Sequence, residues 1–83
     1  MGNADDLDRV LDVKGLMCPL PIIKIRKILT DMTIGEVVTV LATDLALSID
    51  IRHFCNITGH ELVDATEKDG VMTFIIRKGS LSG

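Results

Sequence analysis

Two hydrophobic rhythms alternate along the chain, one of period two and one of period 3.6, and the switches between them mark out six elements. Arg9-Val10-Leu11-Asp12-Val13 partly alternates and predicts a first strand with Leu11 and Val13 on its buried side. Ile22, Ile25, Leu29 and Met32 then recur at helical spacing with Ile28 beside them. Lys24, Lys27 and Asp31 lie along another side of that helix, with Arg26 and Thr30 adjacent. Glu36–Ala42 is β-branched and apolar on both sides, as an interior strand should be. Leu47, Ile51, Phe54 and Cys55 share one side of a second helix from about Leu45 to Thr58, with Thr43 or Asp44 available as its cap and Gly59 as its stop. A weakly patterned strand over His60–Glu67 and a stronger one over Val71–Arg77 flank Lys68-Asp69-Gly70, which carries an Asp-Gly hairpin signal.

The order β-α-β-α-β-β calls for parallel neighbours joined by crossovers and an antiparallel closing pair. Right-handed crossovers put both helices on one face of the sheet. The expected fold is therefore an α/β two-layer sandwich, a mixed four-stranded sheet with two helices on one face and the other face open. One domain should span residues 8–79, with residues 1–7 and 80–83 as disordered tails.

Composition narrows the function. A chain of 83 residues buries a modest fraction of its surface, so its core must be dense, and 47% of its residues are hydrophobic. The two aromatics, Phe54 and Phe74, cannot make a stacking platform for single-stranded nucleic acid. A net charge of −3 argues against broad binding to nucleic acid, so no direct nucleic-acid partner is expected. No apolar run approaches the roughly 20 residues of a membrane span. The acidic start, Met1-Gly2-Asn3-Ala4-Asp5-Asp6, lacks the pattern of a signal peptide. A cytoplasmic monomer that does not engage membranes is expected, and its two cysteines, Cys18 and Cys55, should be reduced. There is no Cys-x-x-Cys pair; His53 and Cys55 face different ways on a helix, and His60 stands alone. Neither a metal site nor a cofactor is expected.

The candidate chemistry sits in Cys18-Pro19-Leu20-Pro21, which contains both prolines of the chain. Prolines fit the first turn of a helix, where backbone N–H groups have no intrahelical partner. Cys18 then falls at or next to the N-cap of the first helix, where the dipole and free N–H donors favour the reactive thiolate. Cys18 is the candidate catalytic residue, and Pro19 and Pro21 would rigidify its loop. Cys55, on the apolar side of the second helix, reads as a packed, inert thiol. Lys24, Arg26 and Lys27 are a candidate docking patch for an acidic partner, the plainer reading being a solvated helix face. His53 and His60 have no carboxylate at a spacing diagnostic of a general base.

The stretch Leu11-Asp12-Val13-Lys14-Gly15-Leu16-Met17-Cys18-Pro19-Leu20-Pro21 resembles the signature of the TusA/SirA family of small sulfur-carrier proteins. The likeness continues through Ile34-Gly35-Glu36, Ala42-Thr43-Asp44, Asp69-Gly70 and Ile75-Ile76-Arg77-Lys78-Gly79, about nine-tenths of the chain. Many relatives open the second helix with Asp-Pro, where this chain has Asp44-Leu45. The resemblance implies the same two-layer sandwich and a persulfide carried on Cys18. It further implies a cysteine desulfurase or rhodanese-type sulfur donor and a downstream sulfur-relay protein, with transfer-RNA thiolation, molybdenum-cofactor synthesis and sulfur oxidation as family destinations. Two alternatives compete with the carrier: a stand-alone thiosulfate or persulfide sulfurtransferase, and a non-catalytic regulatory interaction module whose Cys18 is structural.

Overall fold

A computed structural model describes residues 8–79, so the expected tails at 1–7 and 80–83 lie outside the described residues. The elements are β1 (Asp8–Asp12), α1 (Leu20–Asp31), β2 (Val37–Ala42), α2 (Leu47–Thr58), β3 (Glu61–Lys68) and β4 (Val71–Arg77). They follow the predicted order, with boundaries within two residues of expectation. The sheet order is β1-β2-β4-β3. β1 and β2 are parallel, while β4 runs antiparallel to both β2 and β3.

Alternation along the strands decides which face is covered. Val38, Val40 and Ala42 of β2 and Met72, Phe74 and Ile76 of β4 are sealed on one side. Ile25 and Leu29 of α1, with Leu47, Ile51, Phe54 and Cys55 of α2, complete the same cluster. Both helices therefore lie on this face, and the opposite face carries Val10, Thr39 and Ile75 with no layer over it among the described residues. Leu11 and Val13 are on the buried side, as the partial alternation of the first strand implies, with Val13 sealed and Leu11 packed at its edge. The largest enclosed side chains, Phe74, Ile25, Leu29, Leu47, Ile51 and Ile76, are apolar and supply the principal drive to fold.

The closing turn is as its sequence demands. Asp69 and Gly70 adopt φ of 54° and 82°, the two positive values of a type I′ hairpin turn, which matches the twist of the flanking strands. The weak pattern of β3 has a structural cause: an irregularity between Leu62 and Asp64 shifts the register against β4 and leaves Val63 half-exposed. That shift breaks the strict period of two that sequence reading relies on.

Candidate functional site

The parallel register of β1 on β2 pairs Asp12 with Leu41, so both strands end at the same edge of the sheet. The two strand-to-helix junctions, 13–19 and 43–46, thus lie side by side. Open α/β sheets place their binding groups at this edge.

The first junction is held by hydrogen bonds from the second. The Val13 N–H donates to the Leu41 carbonyl at 2.8 Å, extending the β1–β2 pairing by one step. The Gly15 N–H donates to Thr43 Oγ1 at 2.9 Å, and the Cys18 N–H donates to Asp44 Oδ2 at 3.0 Å. Asp44 also accepts from the Ala46 N–H through Oδ1 at 3.1 Å, and its carbonyl accepts from the Leu47 N–H at 3.0 Å. This corrects the expected capping of α2. The N-cap position is Ala46, whose side chain makes no cap bond, and the helix begins at Leu47. Thr43 and Asp44 instead brace the cysteine loop and the turn before α2.

Cys18 is exposed and stands one position before Pro19, which occupies the N-cap of α1; the Cys18–Pro19 peptide bond is cis. Pro21 sits in the first turn and is fully buried, as the two prolines imply. The surroundings of the sulfur differ from expectation. Pro19 and Pro21 have no N–H, the Leu20 N–H bonds the Met17 carbonyl at 3.0 Å, and the Ile23 N–H bonds the Pro19 carbonyl at 3.2 Å. No helix N–H bonds the sulfur among the described residues. The thiol instead donates to Asp50 Oδ2, on the first turn of α2, at 2.7 Å.

The electrostatic consequence reverses the expected thiolate. The Asp50 hydrogen bond, partial loss of hydration and the charges of Asp50 and Asp44 push the Cys18 thiol up to about 11 from 9.0. In the free protein the group is a thiol, hydrogen-bonded to the Asp50 carboxylate.

Asp50 is the neighbour of Cys18 that sequence reading missed, because an acid in a helix's first turn is already explained by the macrodipole. The signal that could have found it is topological: parallel β1 and β2 bring the start of α2 against the cysteine loop.

The other candidates separate. Lys24, Arg26 and Lys27 are exposed on α1, and none makes an ion pair among the described residues. Arg26 leans away toward α2, its guanidinium carbon 5.9 Å from the centre of the Phe54 ring. Cys55 is buried, and burial pushes its thiol up to about 11, in keeping with a packed, unreactive group. His53 is exposed, whereas His60 is buried, with its Nδ1 accepting from the Gly79 N–H at 3.0 Å. Among the described residues no three His, Cys, Asp or Glu side chains gather as a metal site, and no helix is long and apolar enough to cross a membrane.

Fold and site define a small α/β domain that presents one thiol at the open edge of its sheet. Residues 9–78 match the family described as sulfurtransferase TusA, and the chain belongs to that family. It is 52% identical over 67 residues to a protein named as a candidate sulfur carrier in Neisseria meningitidis serogroup A, a match covering 81% of this chain and 90% of the relative. It is 42% identical over 73 residues to the sulfur carrier protein TusA of Allochromatium vinosum, covering 88% and 96% of the two chains. The crystal structure of a SirA-like protein from Desulfitobacterium hafniense superposes with a TM-score of 0.76 at 30% identity, covering 86% of this chain and 97% of that one.

Proposed function

We propose that this protein is a sulfur-relay carrier that accepts sulfane sulfur as a persulfide on Cys18 and passes it to a downstream protein. The observation that carries the reading is an exposed thiol braced by Asp44 and hydrogen-bonded to Asp50, in a chain whose relatives are named sulfur carriers. A carrier has to release its cargo to another protein, and a sulfur at the open edge of a sheet suits that task better than an enclosed one.

The step balances without an added oxidant. The Cys18 thiol gives up its proton as its sulfur attacks the outer sulfur of the donor's persulfide. The bond from Cys18 Sγ to that sulfur forms as the donor's own sulfur–sulfur bond breaks. The donor leaves as a thiolate and recovers the proton. Until a donor is seated, the two carboxylates keep Cys18 protonated, which slows its oxidation.

The donor, of desulfurase or rhodanese type, and the downstream relay protein must both reach this sulfur. Met17, Leu20, Leu45 and Ile49, each a chain neighbour of Cys18, Pro19, Asp44 or Asp50, are 68%, 48%, 70% and 72% exposed and give an apolar rim for docking. Lys24 and Lys27, with Arg26 set back over Phe54, offer the adjoining charge for an acidic partner surface. A reducing cytoplasm is the setting in which two free cysteines and this exchange are both sustained.

Incubation with a cysteine desulfurase and free cysteine should add the mass of one sulfur atom to the intact protein. Reductant should remove it, Cys18→Ser should abolish it, and Cys55→Ser should retain it. Loading of the Cys18→Ser variant would overturn the proposal.

A further inference from the structure

Away from the cysteine, α1, α2 and the end of β4 enclose a recess of about 160 Å³, enough for a few water molecules or a small ion. Its apolar wall is Leu29 and the ring of Phe54, and its polar lining includes Arg26, His60 and Lys78. Among the described residues no carboxylate lines it. That concentration of donors is notable in a chain whose net charge is −3.

Each donor is held in place by a contact that leaves hydrogen-bonding capacity free. The Arg26 guanidinium rests over Phe54, 5.9 Å from the ring centre, and forms no ion pair among the described residues. Lys78 Nζ donates to the Met32 carbonyl at 2.9 Å, which anchors the ammonium and leaves two of its three hydrogens. The Gly79 N–H donates to His60 Nδ1 at 3.0 Å, so the proton of the neutral ring is on Nε2. The His60 ring is itself steadied 5.9 Å from that of Phe54. The hydroxyls of Thr30 and Thr58, by contrast, already donate to the carbonyls of Arg26 and Phe54, at 2.9 and 2.6 Å.

We propose that this recess is a binding site for a small free oxoanion, a carboxylate or a tetrahedral sulfur or phosphorus oxoanion, held by Arg26, Lys78 and His60 Nε2–H. Two cations and one neutral donor around an apolar wall match a compact anion with several acceptor oxygens. The site is separate from Cys18 and does not depend on the carrier reading.

The test is nuclear magnetic resonance titration of the full chain with sodium acetate, sulfate and phosphate in turn, at ionic strength held constant with sodium chloride. Saturable shifts confined to the Arg26 side chain, His60 and the Gly79 amide are expected. Acetate alone would identify a carboxylate site, and sulfate or phosphate a tetrahedral one. Arg26→Gln, an exposed helix position, should weaken binding about tenfold, as loss of one charge-assisted hydrogen bond implies, and Lys78→Gln similarly. Cys18→Ser should bind as the wild type does. Shifts that stay linear and spread over all lysines and arginines would overturn the site, as would unchanged affinity in Arg26→Gln.

Discussion

The Cys18 thiol and the Asp50 carboxylate meet at 2.7 Å although 32 positions separate them in the chain. The contact joins the two strand-to-helix junctions at one edge of the sheet and is the largest cause of the raised Cys18 pKa. Placing an acid there makes the free thiol a poor nucleophile.

Replacing that acid has a signed outcome. Asp50→Asn removes the principal cause of the raised pKa, so the Cys18 thiol should titrate closer to 9.0 than to 11. At pH 8 the thiolate fraction, and with it the rate of alkylation by iodoacetamide, should rise between about ten- and a hundredfold. The pH profile of alkylation should move to lower pH by the same one to two units. An unshifted alkylation profile would mean that Asp50 does not govern the thiol.

The brace between the junctions should be measurable apart from the chemistry. Thr43→Val removes the acceptor of the Gly15 N–H, and Asp44→Ala removes those of the Cys18 and Ala46 N–H groups. Losses of about 1 kcal/mol for the first and about 1–2 kcal/mol for the second are expected in urea denaturation. Hydrogen exchange at Gly15 and Cys18 should quicken respectively in the two variants.

Gly79 tests how closely the segment after β4 approaches the end of α2. Any side chain there would run its Cβ into the Gly59 carbonyl, a backbone atom that cannot swing aside. Gly79→Ala should therefore cost about 2 kcal/mol or more and loosen the bond from the Gly79 N–H to His60. A thermal midpoint equal to that of the wild type would show that the approach is not tight.

His60 gives stability a pH dependence on the acid side. Burial and, to a lesser extent, Lys78 lower its pKa from 6.5, so the fold disfavours the charged ring. Below 6.5 the unfolded chain binds the proton more readily than the folded one. Stability should thus decline as pH falls from 6.5 toward the lower folded value, and hold level above 6.5 as far as this residue is concerned. His60→Asn should flatten that part of the profile in urea denaturation from pH 5 to 7.

Reading along the chain was enough to obtain the element order, the buried side of each helix, the Asp69–Gly70 hairpin and the position of Cys18 beside the start of α1. These follow from local chemistry: hydrophobic period, the missing N–H of proline and the positive φ that a two-residue turn requires. Tertiary structure alone decided what the sulfur feels. Thr43 and Asp44 read as caps because a cap is a local need, yet the parallel pairing of β1 and β2 turns them toward the cysteine loop. The helix start promised donors, but its prolines have none to give and its Leu20 and Ile23 N–H groups are already bonded, while Asp50 arrives from another element. A side chain's period reports which way it faces on its own helix or strand; only the packing of one element on the next determines which charge it meets there.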